Sequence, residues 1–139
     1  MTCVDALEKP PAELKKRKLS PRQLQQSKIA LGQWGETQAK NFLIRKGYRV
    51  LKTNIASKFG EVDIVAFDPF EQELVFCEVK TRSSNQFGHP SRAVNQQKLI
   101  RMERIASLCL SSRHKMVDYR FDVISITQSG IHHLQNVTI

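Results

Sequence analysis

Cysteine, aromatic residues and long apolar runs are all scarce in this chain, and each shortage excludes a class of protein. The three cysteines, Cys3, Cys77 and Cys109, are odd in number and far apart, which argues against a disulfide scaffold and against structural zinc. No run approaches the length of a transmembrane helix, and no apolar stretch follows the early charges as a signal peptide would require. We therefore expect a cytoplasmic protein with no membrane partner.

Negative charge is also in short supply. Lysine and arginine number 22 against 13 aspartates and glutamates, which gives a formal net charge of +9. An excess of this kind is typical of proteins that bind nucleic acids through their phosphates. Aromatic residues make up only 7% of the chain, so few rings are available to stack on bases. We expect recognition of shape and backbone with little sequence readout.

The length and the N-terminal composition indicate one domain preceded by an arm. A chain of 139 residues can bury one modest core but not two. Residues 1–19 contain few apolar side chains, a Pro10-Pro11 pair and a basic run from Lys15 to Lys18. We interpret them as a flexible basic arm, and residues 20–139 as a single domain.

Two strand-like runs that carry acids are the most informative part of the chain. Residues 61–67 and 74–80 are rich in Val, Ile and Phe, and the segment 68–73 between them has a proline and three acids, which suits a turn. An antiparallel hairpin closed by this segment places Asp63 opposite Glu78, on one face of the sheet. A slip of one residue would send the two acids to opposite faces, so the pairing depends on this register.

Two opposed carboxylates repel each other unless a cation lies between them. Oxygen ligands suit Mg²⁺ or Mn²⁺, and we predict an ion held by Asp63, Glu78 and the backbone carbonyl of Val79, with waters completing its coordination. Lys80 would lie beside the ion, where its ammonium could orient or activate an attacking water. This pattern favours phosphodiester hydrolysis. The alternative is a solvated strand end in which Glu61 and Lys80 form an ion pair.

A third acid is expected from a helix. Ser20-Pro21 is a typical helix start, and the helix should run to about Lys46 before Gly47 ends it. Small and apolar residues recur along it at three- and four-residue spacing, which predicts a stripe that faces the sheet. Glu36 lies within this stripe, and the acidic metal cluster would give it a partner. The alternative is an interior glutamate paired with a nearby Lys or Arg. The stripe consists of Gly32, Gly35, Glu36, Ala39, Phe42 and Leu43.

The remaining patterns complete a sheet with helices packed on it. Strands are predicted at Tyr48–Asn54 and Tyr119–Thr127, with a weaker one at Ile131–Ile139. A second helix is predicted from Arg92 to Ser111. A helix, a hairpin, a crossover helix and further strands indicate a mixed sheet.

Four basic residues are predicted to contact phosphates on either side of the metal site. Arg82 follows the predicted catalytic lysine, and the other three belong to the second helix or its start. The alternative for each is an ordinary solvated charge. The four are Arg82, Arg92, Lys98 and Arg101.

Several short motifs follow one another between about residues 28 and 127. They are Gly32-Gln33-Trp34-Gly35-Glu36, Gly47-Tyr48, Asn54, Gly60-Glu61-Val62-Asp63-Ile64-Val65-Ala66, Val75-Phe76-Cys77-Glu78-Val79-Lys80-Thr81-Arg82, Phe87-Gly88 and Arg120-Phe121-Asp122-Val123-Ile124. In this order the motifs resemble the YraN-like uncharacterised bacterial family, and the ordered series is more specific than any single motif. That family is similar to the PD-(D/E)XK restriction-endonuclease-like superfamily, and to its Holliday-junction resolvase branch in particular.

The resemblance implies an α/β fold, a restriction-endonuclease-like mixed central sheet flanked by helices. It also implies that Glu36 corresponds to the superfamily's helix acid, Asp63 and Glu78 to its two strand acids, and Lys80 to its lysine. Val62 stands where the superfamily's motif has proline, which is a common relaxation.

Two functions from different classes remain open. The first is a metal-dependent endonuclease acting on DNA, with branched or damaged DNA as candidate substrates. The second is a nucleic-acid-binding scaffold that keeps the fold without useful catalysis. Retention of all four site residues favours the enzyme. We favour DNA over RNA, although RNA is not excluded, and a homodimer also stays open.

Overall fold

The computed structural model describes residues 20–81, 96–111, 118–127 and 129–137. Within these ranges the chain forms two helices and five strands. In chain order they are α1 (Pro21–Arg45), β1 (Arg49–Ser57), β2 (Gly60–Asp68), β3 (Glu73–Thr81), α2 (Gln96–Ser111), β4 (Tyr119–Thr127) and β5 (Gly130–Leu134). The predicted arm at residues 1–19 lies outside the described residues.

The five strands form one mixed sheet in the order β1-β2-β3-β4-β5. Neighbouring strands are antiparallel except β3 and β4, which run parallel. A parallel pair needs a crossover connection, and α2 lies within that connection. The predicted α/β architecture is therefore confirmed. Neither described helix has the length and apolar character needed to cross a membrane.

The two helices cover opposite faces of the sheet. Successive side chains of a strand point to opposite faces, so Val75 and Cys77 of β3 pack with α1, whereas Leu74 and Phe76 pack with α2. Each helix therefore closes its own apolar core. The helices contribute Ala39, Phe42 and Leu43 to the first core, and Met102, Ile105 and Ala106 to the second.

The bounds of α1 follow the signals in its sequence. The Ser20 hydroxyl accepts a hydrogen bond from the Gln23 amide at 3.3 Å, and the Gln23 side chain accepts one from the Ser20 amide at 3.0 Å. Pro21 occupies the first turn, and Gly47 follows the helix with a φ of +96°. The prediction of a helix from Ser20-Pro21 to about Lys46 is confirmed.

The β2–β3 hairpin has the predicted register. Its ladder begins at the pair Asp68 and Glu73 and ends at the pair Ile64 and Cys77. Asp68 Oδ1 closes the loop by accepting hydrogen bonds from two loop amides, at 2.9 and 3.3 Å. Loop length and alternation of apolar residues were therefore enough to predict which residues of these strands face each other.

The last strand is shorter than predicted. It was expected to reach Ile139, but β5 ends at Leu134. Asn136 has a positive φ of +53°, and its amide donates to Asp122 Oδ1 at 2.9 Å. The regular ladder is interrupted there, because a left-handed backbone conformation does not continue a strand, although the Val137 amide still donates to the Phe121 carbonyl of β4 at 2.7 Å.

A buried cluster of charges lies at the hairpin-loop end of the sheet. The side chain of Arg120 on β4 is only 6% exposed. It donates to Asp68 Oδ2 at 2.8 Å, to Glu73 Oε2 at 3.0 Å and to Asp122 Oδ1 at 3.1 Å, and to the Tyr48 hydroxyl at 2.9 Å. One guanidinium therefore compensates three carboxylates.

Hydrogen bonds determine the charge states in this cluster. Burial raises the pKa of Asp68 and of Asp122, but hydrogen bonds outweigh burial and hold both pKa values below the ordinary value. Asp68 accepts such a hydrogen bond from Arg120. Asp122 accepts hydrogen bonds from His133 and Arg120. Burial and a hydrogen bond with Asp68 raise the pKa of Tyr48 to about 12. At neutral pH the two carboxylates are therefore charged and the phenol is protonated.

His133 extends the cluster to the end of α1. Its Nδ1 lies 2.9 Å from Lys46 Nζ, and its Nε2 lies 2.7 Å from Asp122 Oδ2. An ammonium group only donates hydrogen bonds, so Nδ1 accepts and Nε2 carries the proton that is donated to Asp122. The imidazole thus links the C-terminal end of α1 to β4 and β5.

Candidate active site

Asp63 lies immediately beyond the last pair of the β2–β3 ladder, level with Glu78. Its Oδ2 accepts a hydrogen bond from the Val79 amide at 2.8 Å. The N–H and C=O groups of one strand residue point to the same side, so the Val79 carbonyl points to the β2 side of β3 as well. The ladder ends before Glu61 and Lys80, whose ion pair was the alternative to a metal site, and Lys80 contacts Glu78.

The regular alternation of side chains between the two faces of the sheet is broken at Asp63. Val62 packs in the core beneath α2 and Ile64 in the core beneath α1, although residues two apart in a regular strand share a face. On β1, Asn54 has a positive φ of +51°, and the pairs on either side of it place it level with Asp63. This irregularity directs the Asp63 side chain towards β3 rather than into either core.

Glu78 and Lys80 lie next to each other on the face of β3 that points to α2. Glu78 is 7% exposed, whereas the Lys80 side chain is 38% exposed and places Nζ 3.5 Å from Glu78 Oε1. A carboxylate that is nearly buried requires compensation by positive charge. Lys80 supplies part of that compensation, and the carboxylate remains reachable through the cavities described below.

Gly35 determines where α1 lies on the sheet. A Cβ at this position would overlap the Thr81 hydroxyl, so only glycine allows the helix to lie directly on the end of β3. The next residue, Glu36, then lines a cavity of about 340 Å³ together with Asp63 and Glu78. The helix thereby brings a third acid to the two strand acids.

Gly35→Ala should destabilise the protein by about 1–3 kcal/mol because the added methyl group overlaps Thr81. Alanine is the better helix former by about 1 kcal/mol, so helix propensity alone predicts the opposite sign. Gly32→Ala is the matched control, because a Cβ at Gly32 meets nothing within 4 Å. Urea unfolding followed by circular dichroism measures both variants. Equal stabilities would mean that contact with Thr81 does not position α1.

Two cavities meet at the acid pair, and Asp63 and Glu78 line both of them. A ligand can therefore reach the carboxylates from the side of either helix. The larger cavity, of about 410 Å³, is also lined by Gly60, Glu61, Arg101 and Met102. The smaller cavity is also lined by Lys28, Leu31, Gly32, Glu36, Val79 and Thr81.

The four basic residues predicted to bind phosphates have different positions. Arg101 lines the larger cavity with the acid pair. Lys98 belongs to α2, but its side chain is outside what the structure describes. Arg82 and Arg92, together with the predicted start of the second helix, lie outside the described residues. The role of each stays a prediction.

Lys28 was not singled out from the sequence, and the surroundings of Gly32 differ from those that the sequence predicted. Gly32 was predicted to face the sheet, but a Cβ there would meet nothing within 4 Å. Gly32 lines the smaller cavity with Asp63 and Glu78 of the sheet but does not pack on a strand, and the first buried residue of α1 is Gly35. The polar stretch from Gln25 to Lys28 is the signal that could have indicated an exposed helix end.

The ion predicted for the acid pair is a hard divalent cation. No group of three or more His, Cys, Asp and Glu side chains within the described ranges is arranged to hold a metal ion. The predicted set requires only Asp63, Glu78, the Val79 carbonyl and waters. These oxygen ligands suit Mg²⁺ or Mn²⁺.

A mixed sheet with a helix on each face is an α/β architecture that is consistent with a nuclease-like fold. The family model described as Uncharacterised protein family UPF0102 matches residues 35–126. The chain belongs to this family, which is the YraN-like family that the motifs resembled and a member of the restriction-endonuclease-like superfamily.

Individual relatives resemble the chain over most of its length. A UPF0102 protein of Thermodesulfovibrio yellowstonii is 39% identical over 79% of this chain and 96% of its own. One of Vibrio parahaemolyticus is 40% identical over 79% of this chain and 93% of its own. A UPF0102 protein of Prosthecochloris aestuarii is 43% identical over 72% of this chain and 78% of its own.

Proposed function

We propose that this protein is a metal-dependent nuclease that hydrolyses phosphodiester bonds in DNA. The main support is the meeting of Asp63 and Glu78 from two strands, with Glu36 from α1 lining the same cavity and Lys80 beside Glu78. Two carboxylates that line the same cavities repel each other less when a cation lies between them. Four residues of the types that metal-dependent phosphodiester hydrolysis uses therefore lie around one cavity or beside it.

Mg²⁺ or Mn²⁺ would be held by Asp63, Glu78 and the Val79 carbonyl, with waters at its other positions. When bound, such an ion polarises a phosphate and lowers the pKa of a bound water. The adjoining cavities of about 410 and 340 Å³ leave room for those waters and for a phosphate group.

Lys80 and Glu36 would act on the water and the phosphate from either side of the acid pair. The Lys80 ammonium lies 3.5 Å from Glu78 Oε1, and it would orient the attacking water and offset negative charge that develops on phosphorus. Glu36 lies in the smaller cavity, where its carboxylate would accept a hydrogen bond from a water rather than bind the ion directly.

The charge of the chain supports a polyanionic substrate. The net charge is +9, and Arg101 lines the larger cavity beside the acids, where it would contact a backbone phosphate. Similarity of the family to Holliday-junction resolvases makes branched DNA the first substrate to test. RNA carries the same phosphates and belongs in the same test.

A panel of nucleic acids tests the proposed function. Duplex, single-stranded, flapped and four-way DNAs and a matched RNA are incubated with Mg²⁺ or Mn²⁺ and either wild type or Asp63→Asn, purified in parallel to control for contaminating nucleases. We expect cleavage of at least one DNA by wild type alone. If wild type binds DNA but binds no divalent ion and cleaves nothing, the protein is a nucleic-acid-binding scaffold. Cleavage of RNA alone would contradict the choice of DNA.

A further inference from the structure

Gly32 is a glycine that the described fold does not require. It lies in the interior of α1, where glycine weakens a helix relative to alanine. Its φ is not positive, and a Cβ built on it would meet nothing within 4 Å. Gly35 differs, because its Cβ would overlap Thr81. Neither backbone conformation nor packing among the described residues accounts for the missing side chain at Gly32.

The position of Gly32 in the smaller cavity suggests a reason. Lys28 precedes it and Glu36 follows it by four residues each, so the three lie in a row along one side of α1. All three line the cavity that contains Asp63 and Glu78. The row therefore leads from the acid pair along the helix, and the absence of a side chain at Gly32 deepens the cavity midway.

The exposed end of α1 has the charge and the length for a polyanion. Residues 21–30 are all exposed, which corresponds to about 15 Å of helix. Between Pro21 and Gln33 the sequence contains Arg22 and Lys28 and no Asp or Glu. A phosphate backbone that lies along this surface would meet positive charge and amide side chains without an acid until it reaches Glu36.

We propose that the groove beside Lys28 and Gly32 holds the sugar–phosphate backbone of the DNA strand that is cut. Lys28 would contact a phosphate next to the one at the acid pair, and Gly32 would be the point of closest approach between helix and strand. This inference rests on the proposed function and adds the path of the substrate strand and two binding residues. The path continues away from the acids along α1.

A larger side chain at Gly32 tests whether the DNA strand approaches α1 most closely at this residue. Binding of fluorescent DNA is measured by anisotropy without divalent ions, in an Asp63→Asn background, so that cleavage does not interfere. Gly32→Leu should weaken DNA binding at least about tenfold, because the leucine side chain would fill space that the DNA strand occupies in the complex. Ala30→Leu is the matched control, because Ala30 is exposed and two helical residues away, hence on nearly the opposite side.

Salt dependence tests the phosphate contact. Lys28→Gln should reduce the slope of log affinity against log salt by roughly 0.7–0.9, the loss of one phosphate contact. Lys40→Gln should leave the slope unchanged, because Lys40 is exposed on the same helix but lines neither cavity. Equal slopes for the two variants would remove Lys28 from the proposed path.

Stability measurements separate a binding role from a structural one. Gly32→Ala should have a Tm equal to or above that of the parent and nevertheless bind DNA more weakly, which a purely structural glycine would not do. If the parent binds DNA and the variants at Gly32 bind it as tightly, the inference is wrong while the proposed function stands. If the wild type binds no DNA, the proposed function fails and the inference with it.

Discussion

Asp63→Asn and Glu78→Gln should each abolish cleavage and divalent-ion binding together. Each change keeps the size of the side chain but removes a charge that would hold Mg²⁺ or Mn²⁺. An asparagine oxygen can still accept the hydrogen bond that the Val79 amide donates at 2.8 Å, so the fold should survive. Loss of both cleavage and ion binding would then be due to the missing charge and not to a displaced strand.

Lys80→Ala should reduce cleavage without abolishing divalent-ion binding. Both carboxylates remain, so the ion should still bind, whereas turnover should fall by about 10² or more, the scale of losing one group that stabilises the transition state. Glu36→Gln should fall between these extremes, because a helix acid beside the ion contributes through water.

Calorimetric titration of Mg²⁺ or Mn²⁺ and nicking assays on the same preparations measure both effects. Glu71→Gln is a suitable control, because Glu71 is an exposed acid of the hairpin loop and lines neither cavity. Wild-type ion affinity in Asp63→Asn would show that this carboxylate is not a ligand. An unaltered turnover in Lys80→Ala would remove the lysine from the chemistry.

The fold was predictable where local signals act over short distances. The loop that begins at Asp68 fixed the register of β2 and β3, and Ser20-Pro21 and Gly47 marked the ends of α1. The end of β5 was not predictable, because it depends on a hydrogen bond from the Asn136 amide to Asp122 on another strand. No periodicity in residues 131–139 reports that contact.

The same distinction applies to the candidate site. Asp63 and Glu78 could be paired from sequence because they belong to one hairpin. The sequence contains a signal for the exposed end of α1, but the reach of this end along the cavity could not be predicted, because it depends on which residues of the sheet meet Gly35. Lys28 and the open space at Gly32 follow from that reach, so both required the structure.

Arg120→Met should lower the free energy of unfolding by about 3–5 kcal/mol, as expected when one partner of a buried ionic cluster is removed. The Arg120 side chain is 6% exposed, and it donates to Asp68 and Asp122, whose side chains are 3% and 0% exposed. The variant would leave both carboxylates buried without their cation. Arg49→Met, at an exposed position of the edge strand β1, should change stability by less than about 0.5 kcal/mol. Urea unfolding at pH 7 measures both.

The cost of Arg120→Met should shrink as the pH falls. Hydrogen bonds from Arg120 help to hold the pKa of Asp68 and of Asp122 below the ordinary value, against the effect of burial. Such a carboxyl stabilises the fold above its unfolded pKa of about 3.9 and loses that contribution as the pH drops through the lower folded pKa. Without Arg120, burial instead favours the protonated carboxyls, so acid should destabilise the wild type more than the variant. Unfolding curves between pH 7 and pH 3 should therefore converge; a constant difference would show that Arg120 acts through packing rather than charge.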